Sequence, residues 1–177
     1  PRLGDLPMTA RSAISSAMAA AKAAGEGMAL ARYLNRDSRA VVPVNALVTA
    51  ARPGDVEADT AAAVAAGYPA VKLKVGAVHP DLDVARVEAA ASVVPAAVGL
   101  RLDANAAWDL EIATSLLRRL QQLAIEYVED PVPEVHLASL RSRIGVPIAV
   151  DAPVATPEDV RRVAGLVDVV VLKVART

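Results

Sequence analysis

From Ala40 onward, short runs rich in Val, Ile and Leu alternate with longer stretches of helical periodicity, and that alternation limits the folds open to the chain. The runs read as strands are AVVPVNALV (40–48), AVKLKVG (70–76), VGLRLDAN (98–105), IEYVEDP (125–131), VPIAVDA (146–152) and DVVVLKVA (168–175). Helices are expected between them, in PGDVEADTAAAVAAG, HPDLDVARVEAAASVV, DLEIATSLLRRLQQL, EVHLASLRSRIG and TPEDVRRVAGLV. Thr156 followed by Pro157 is a favoured N-cap and first-turn pair. Strands apolar on both faces, each followed by a helix, belong in a parallel sheet covered by helices. Such a pattern fits a doubly wound sheet or part of a (β/α)8 barrel. The stretch after the first strand, NALVTAARPGD, lacks the Gly-rich turn of a dinucleotide-binding sheet, so the expectation is an incomplete TIM-type barrel of about six βα units.

Ahead of this, the spacing of Ala13, Ala17, Ala20 and Ala24, stopped by Gly25 and Gly27, predicts a helix followed by a short second one. NRDSR then reads as a turn or linker, which divides the chain into residues 1–38 and 39–177. The chain opens on Pro1 and stops soon after an apolar run, so it is expected to be a piece of a longer protein.

Composition excludes several function classes. Nineteen basic against twenty acidic residues leave no polyelectrolyte footprint, so neither nucleic acid nor an anionic membrane is an expected partner. The absence of Cys excludes disulfides and thiolate metal sites and fits a reducing, cytoplasmic setting. Uncharged apolar stretches are too short to span a bilayer. Oligomeric state is not legible.

What remains is a row of charged groups at strand ends. Lys72 and Lys74 close the second strand, Asp103 the third with Asn105 just beyond, Glu129 the fourth, Asp151 the fifth and Lys173 the sixth. Counted from Lys74, the steps to Asp103, Glu129, Asp151 and Lys173 are 29, 26, 22 and 22 residues, one βα unit each. In a βα barrel that C-terminal face carries the chemistry. Adjacent strands lie roughly 5 Å apart, so Asp103, Glu129 and Asp151 can converge, and a hard divalent cation with oxygen ligands, Mg2+ above all, would relieve their repulsion. In an eight-stranded barrel, strands two and six are diametrically opposed, which sets Lys173 across from Lys74. Lys72 and Lys74 share one face, and each is expected to lower the other's proton affinity, as a nearby dication would, tuning an amine toward general-base work. The reaction class that follows is proton abstraction next to a carboxylate, ending in elimination, epimerisation or cycloisomerisation.

Taken singly, these residues have ordinary readings. A Lys-x-Lys pair is commonly a solvated strand face, Asp103 and Asn105 a turn, Asp151 a helix cap, and Lys173 a snorkelling side chain. The even spacing at one end of successive strands is what separates the set from coincidence. His79 and His136 read as surface residues, and Trp108 as packing.

The motifs VKLKVG, RLDAN, EYVEDP, PIAVDA and VVVLKVA, in this order, resemble the barrel of the enolase superfamily, muconate-lactonising subgroup, and within it the o-succinylbenzoate synthase family. ARSAISSAMAAAKA resembles the end of that family's α+β capping domain, so residues 1–38 would be its last helices. The resemblance implies a Mg2+-dependent lyase that dehydrates 2-succinyl-6-hydroxy-2,4-cyclohexadiene-1-carboxylate in menaquinone biosynthesis. Lys74 would be the base and then the acid, Lys72 its electrostatic neighbour, and Asp103, Glu129 and Asp151 the metal ligands. Lys173 would stabilise the enolate, and Asn105 would lie on the substrate side. An N-acylamino acid racemase or dipeptide epimerase is the alternative within the superfamily, and a catalytically silent truncated fragment is the alternative outside enzymes. One departure stands out: the family usually has an acidic residue and then Ser after the third metal ligand, where this chain has Ala152 and Pro153.

Overall fold

The computed structural model describes residues 5–173. These fall into two compact units, one spanning Pro43–Val171 and the other holding residues 5–42 with 172–173. The second unit contains helix α1 (Met8–Gly25) and the short α2 (Leu30–Leu34), matching the expected pair.

The larger unit is a single parallel sheet whose spatial order follows the sequence. Its strands are β1 (Ala46–Val48), β2 (Ala70–Lys74), β3 (Gly99–Asp103), β4 (Ile125–Glu129), β5 (Ile148–Val150) and β6 (Val169–Val170). Between them run α3 (Pro53–Ala65), α4 (Pro80–Val93), α5 (Leu110–Arg119), a 3₁₀ turn (Glu134–His136) leading into α6 (Leu137–Arg141), and α7 (Pro157–Val163). The βα alternation is as expected, but the outer strands are shorter than their apolar runs. Residues 40–45 are not paired, and β6 stops at Val170, so Lys173 lies three residues past the strand instead of at its end.

Two faces of the sheet do different work. Val71, Leu73, Leu100, Leu102, Val128, Ile148 and Val150 are almost fully buried in one cluster with Val56 of α3, Val84 and Val87 of α4, Leu116 and Leu117 of α5, Leu137 and Leu140 of α6 and Val163 of α7. The alternate positions carry the polar groups: Lys72 and Lys74 on β2, Arg101 and Asp103 on β3, Tyr127 and Glu129 on β4. A register shift helps to align them. Leu100 pairs with Ile125 but Arg101 pairs with Tyr127, so Glu126 is an extra residue, and beyond it Asp103 stands beside Glu129. The Arg101 guanidinium lies 5.2 Å over the Tyr127 ring and binds Glu126, tying down the shifted stretch.

Helix starts are chemically specified. Thr156 caps α7 in a full capping box with Asp159, and His79 caps α4 by accepting from the Asp81 amide.

Candidate active site

The strand register brings one charged residue per strand into a row. Lys74 pairs with Asp103, and Asp103 with Glu129. Glu129 pairs in turn with Ala149, and Asp151 lies two residues further along that strand direction, hence on the same face. The carboxylates are deeply placed: Asp103 and Glu129 are each 1% exposed and Asp151 is 7% exposed. Unpaired, such charges would cost several kcal/mol each, roughly.

The two lysines meet that demand. Lys72 Nζ lies 2.8 Å from both Glu129 oxygens and 2.8 Å from Asp103 Oδ2. Lys74 Nζ donates to the same Asp103 Oδ2 at 2.6 Å and to Asn105 Oδ1 at 2.6 Å. The paired lysines of the motif thus grip neighbouring carboxylates, and the strand alternation that puts both on one face explains their spacing.

Proton affinities follow from these contacts. For Lys72, burial pulls the affinity down, but the hydrogen bonds to Asp103 and Glu129 outweigh it and hold the ammonium above its ordinary range. This runs against the sequence-based expectation for Lys72, which weighed the like charge of Lys74 and a nearby dication and omitted the carboxylates within hydrogen-bond reach. Burial raises Asp103, yet the two ammonium groups dominate and hold it below the usual carboxylate range. Glu129 moves the other way: burial raises it, and the bond to Lys72 only partly offsets that.

The loops after β3 and β4 are built under backbone constraint. Asn105 (φ 47°), Ala106 (φ 57°) and Asp130 (φ 42°) all occupy left-handed conformations that side chains other than Gly rarely adopt. The turn is held by Asp103 Oδ1 accepting from the Asn105 amide at 3.1 Å, and by the Ala106 amide donating to the Asp130 carbonyl at 2.7 Å. Asn105 is thereby presented to Lys74.

Asp130 is the site residue that strand periodicity missed. Simple alternation sends it to the face opposite Glu129, but its positive φ redirects the chain. Its two carboxylate oxygens accept from the Asp151 amide at 3.1 Å and the Ala152 amide at 3.0 Å. The signal was present in the motif EDP as two successive acids. Glu129, Asp130 and Asp151, all buried, each offer a carboxylate oxygen within 4.8 Å of the others. That donor set, all hard oxygen and densely anionic, fits a divalent cation of the Mg2+ type. Of the three ligands expected from sequence, Glu129 and Asp151 fall in this cluster, and Asp103 is joined to Glu129 through Lys72. Lys173 is exposed and groups with the smaller unit.

Known proteins place this geometry in context. The family described as Enolase C-terminal domain-like matches residues 55–177. The o-succinylbenzoate synthase of Thermobifida fusca (strain YX) is 40% identical over 141 residues, covering 77% of this chain and 44% of that protein. The L-Ala-D/L-Glu epimerase of Bacillus subtilis (strain 168) is 32% identical over 155 residues, 86% of this chain and 41% of that one. Among solved structures, the o-succinylbenzoate synthase from Thermosynechococcus elongatus BP-1, complexed with Mg in its active site, aligns with a TM-score of 0.67 at 30% identity, over 76% of this chain and 44% of that chain. The chain therefore spans less than half the length of these relatives. With more than half its residues matched by the family, the chain belongs to the enolase superfamily through its C-terminal domain.

Proposed function

We propose that this chain carries a Mg2+-dependent site for abstracting a proton next to a carboxylate, and that the reaction is the dehydration performed by o-succinylbenzoate synthases. The observation that supports this most is the row Lys74, Asp103 and Glu129, in register on three adjacent strands, with Lys72 between the two carboxylates.

In this reading Asp103, Glu129 and Asp151 hold the cation, while Asp130 fixes the backbone that presents Asp151. Bound there, Mg2+ would supply positive charge to stabilise the dianion that develops when the α-proton leaves. Lys74 takes that proton at Nζ and returns it to the departing hydroxide. Lys72 remains an ammonium, consistent with its raised proton affinity, and offers fixed positive charge beside the substrate. Asn105 orients Lys74 from the substrate side. Lys173 keeps the enolate-stabilising role that the sequence resemblance gives it, on sequence grounds alone. The physiological setting would be menaquinone biosynthesis in the cytoplasm; no helix among the described residues is long and apolar enough to cross a membrane.

A dipeptide epimerase is the second reading, favoured by the Bacillus subtilis relative, whose match extends over 86% of the chain. Calorimetric titration with Mg2+, comparing wild type with Asp103→Asn and Glu129→Gln, tests the site. Wild type is expected to bind and both variants to lose most of that affinity; equal binding in all three would reject the ligand assignment. Incubation in D2O with the cyclohexadiene carboxylate or with L-Ala-L-Glu then separates the reactions. Dehydration of the first supports the lyase, and deuterium entry at the dipeptide α-carbon supports the epimerase.

A further inference from the structure

A buried ion pair outside the row of carboxylates grips the backbone on both sides of Lys74. Asp83 and Arg86, one turn apart on α4, are 0% and 2% exposed and joined at 2.6 Å. Asp83 uses its other oxygen to accept from the Gly76 amide at 2.7 Å. Arg86 Nη2 donates to the Lys74 carbonyl at 2.8 Å, and Nε donates to the Ala50 carbonyl at 3.0 Å.

These contacts lie where the sheet gives out. The ladder between β1 and β2 ends at Val48 with Leu73, so Lys74 sits one residue beyond the last β1 pairing. There the Arg86 fork bridges the end of β2 and the segment that follows β1, donating to a carbonyl on each. On its other side Lys74 is secured by Asp103, whose carbonyl accepts from the Val75 amide at 2.9 Å. Gly76 completes the corner at φ +87°, where an added Cβ would come within 2.7 Å of the Ala107 Cβ.

We infer that the Asp83–Arg86 pair is a positioning device for Lys74, fixing the peptide that aims its amine at Asp103 and Asn105. A guanidinium is needed because only a planar fork reaches a carboxylate and two divergent carbonyls at once. The inference rests on the reading of Lys74 as the acid–base group. A helix-stabilising pair with no bearing on the site would leave the lysine's orientation untouched, and that difference is measurable.

The test is competitive acetylation with acetic anhydride, read by mass spectrometry at each of the four lysines, Lys22, Lys72, Lys74 and Lys173. Arg86→Lys keeps the charge pair but loses the fork; Asp83→Asn with Arg86→Gln keeps a neutral hydrogen-bonding pair in the same volume. In either variant that retains the wild-type circular dichroism spectrum, Lys74 is expected to acetylate faster relative to Lys22, by about threefold or more, with Lys72 unchanged. Equal labelling of Lys74 in wild type and variants would overturn the inference, as would parallel changes at Lys72 and Lys74. Failure of both variants to fold would also overturn it, assigning the pair to stability alone. The labelling needs neither metal nor substrate, so the expected pattern in a protein that fails to bind Mg2+ would fault the functional reading and leave the positioning intact.

Discussion

Replacing Lys72 with Met removes the ammonium shared by Asp103 and Glu129; Asp103 keeps Lys74, and Glu129, 1% exposed, loses its lysine partner beside that carboxylate. Removing one partner of a buried ion pair typically costs about 3–5 kcal/mol. The Lys72 side chain is 19% exposed, and partial access of water to the site places the expected loss at the low end, about 3 kcal/mol at neutral pH. For a domain of this size that corresponds to a fall in Tm of roughly 6–12 °C. The sign of the pH dependence follows from Glu129. Its folded-state affinity for protons is already raised by burial, and losing Lys72 removes the contact that opposes the rise. A carboxylate whose folded pKa lies above its unfolded one favours folding when protonated and opposes it as pH climbs through the folded value. The destabilisation should therefore be largest at pH 7, shrink through the range just above the ordinary carboxylate pKa, and shrink also at pH 7 when Mg2+ is added. Urea unfolding followed by the fluorescence of Trp108, the single tryptophan and 3% exposed, gives the measurement. A loss below about 1 kcal/mol, or one that does not diminish in acid, would refute the claim that Lys72 neutralises this site.

Other perturbations probe separate parts of the structure. Gly76→Ala adds a Cβ at φ +87° against Ala107, so left-handed strain and overpacking together should cost about 2–4 kcal/mol, read by urea unfolding; near-wild-type stability would show that the corner relaxes freely. Asp130→Ala strands the Asp151 and Ala152 amides and should weaken Mg2+ binding by about tenfold or more in calorimetry. Asp168 is held below the usual carboxylate range chiefly by its hydrogen bond to Arg141. Because its folded pKa is depressed, its stabilisation is present above the unfolded value and disappears as pH falls through the folded one. Asp168→Asn should therefore cost less than about 1 kcal/mol at pH 7, given the exposure of the pair, and nothing in strong acid, where its urea curve should overlay that of wild type.

The sheet and most of the polar row along it were legible because the chain repeats one unit. β2, β3 and β4 fall within the expected runs since apolar alternation and Gly or Pro punctuation agree there. The outermost strands came out short because apolar character alone does not make a ladder; Pro43 lacks an amide to donate, and residues 40–45 are unpaired despite their valines. Lys72 and Lys74, Asp103 and Glu129 were visible as charges at the ends of three successive strands. Asp130 was not, because its place depends on a positive φ that no periodicity encodes. The extra residue at Glu126 was equally hidden: which of two registers a parallel pair adopts is decided by side-chain packing across both strands. The direction of the Lys72 shift needed distances, since the neighbours that decide it are far away in sequence.

The strictly consecutive order of the strands has a consequence for assembly. Ala46 pairs with Val71, Ala70 with Gly99, Arg101 with Tyr127, Val128 with Ile148 and Ala149 with Val169, so each ladder closes a loop of 20 to 29 residues. Loop-closure entropy grows only as the logarithm of length, and across that range it differs by about 0.3 kcal/mol. No pairing is entropically privileged, and growth can spread outward from whichever neighbouring pair packs first. Lengthening one βα loop then slows one closure slightly and leaves the other four as they were. The loops above the polar row are thus free to diverge in length and chemistry while the sheet beneath them keeps assembling by the same steps.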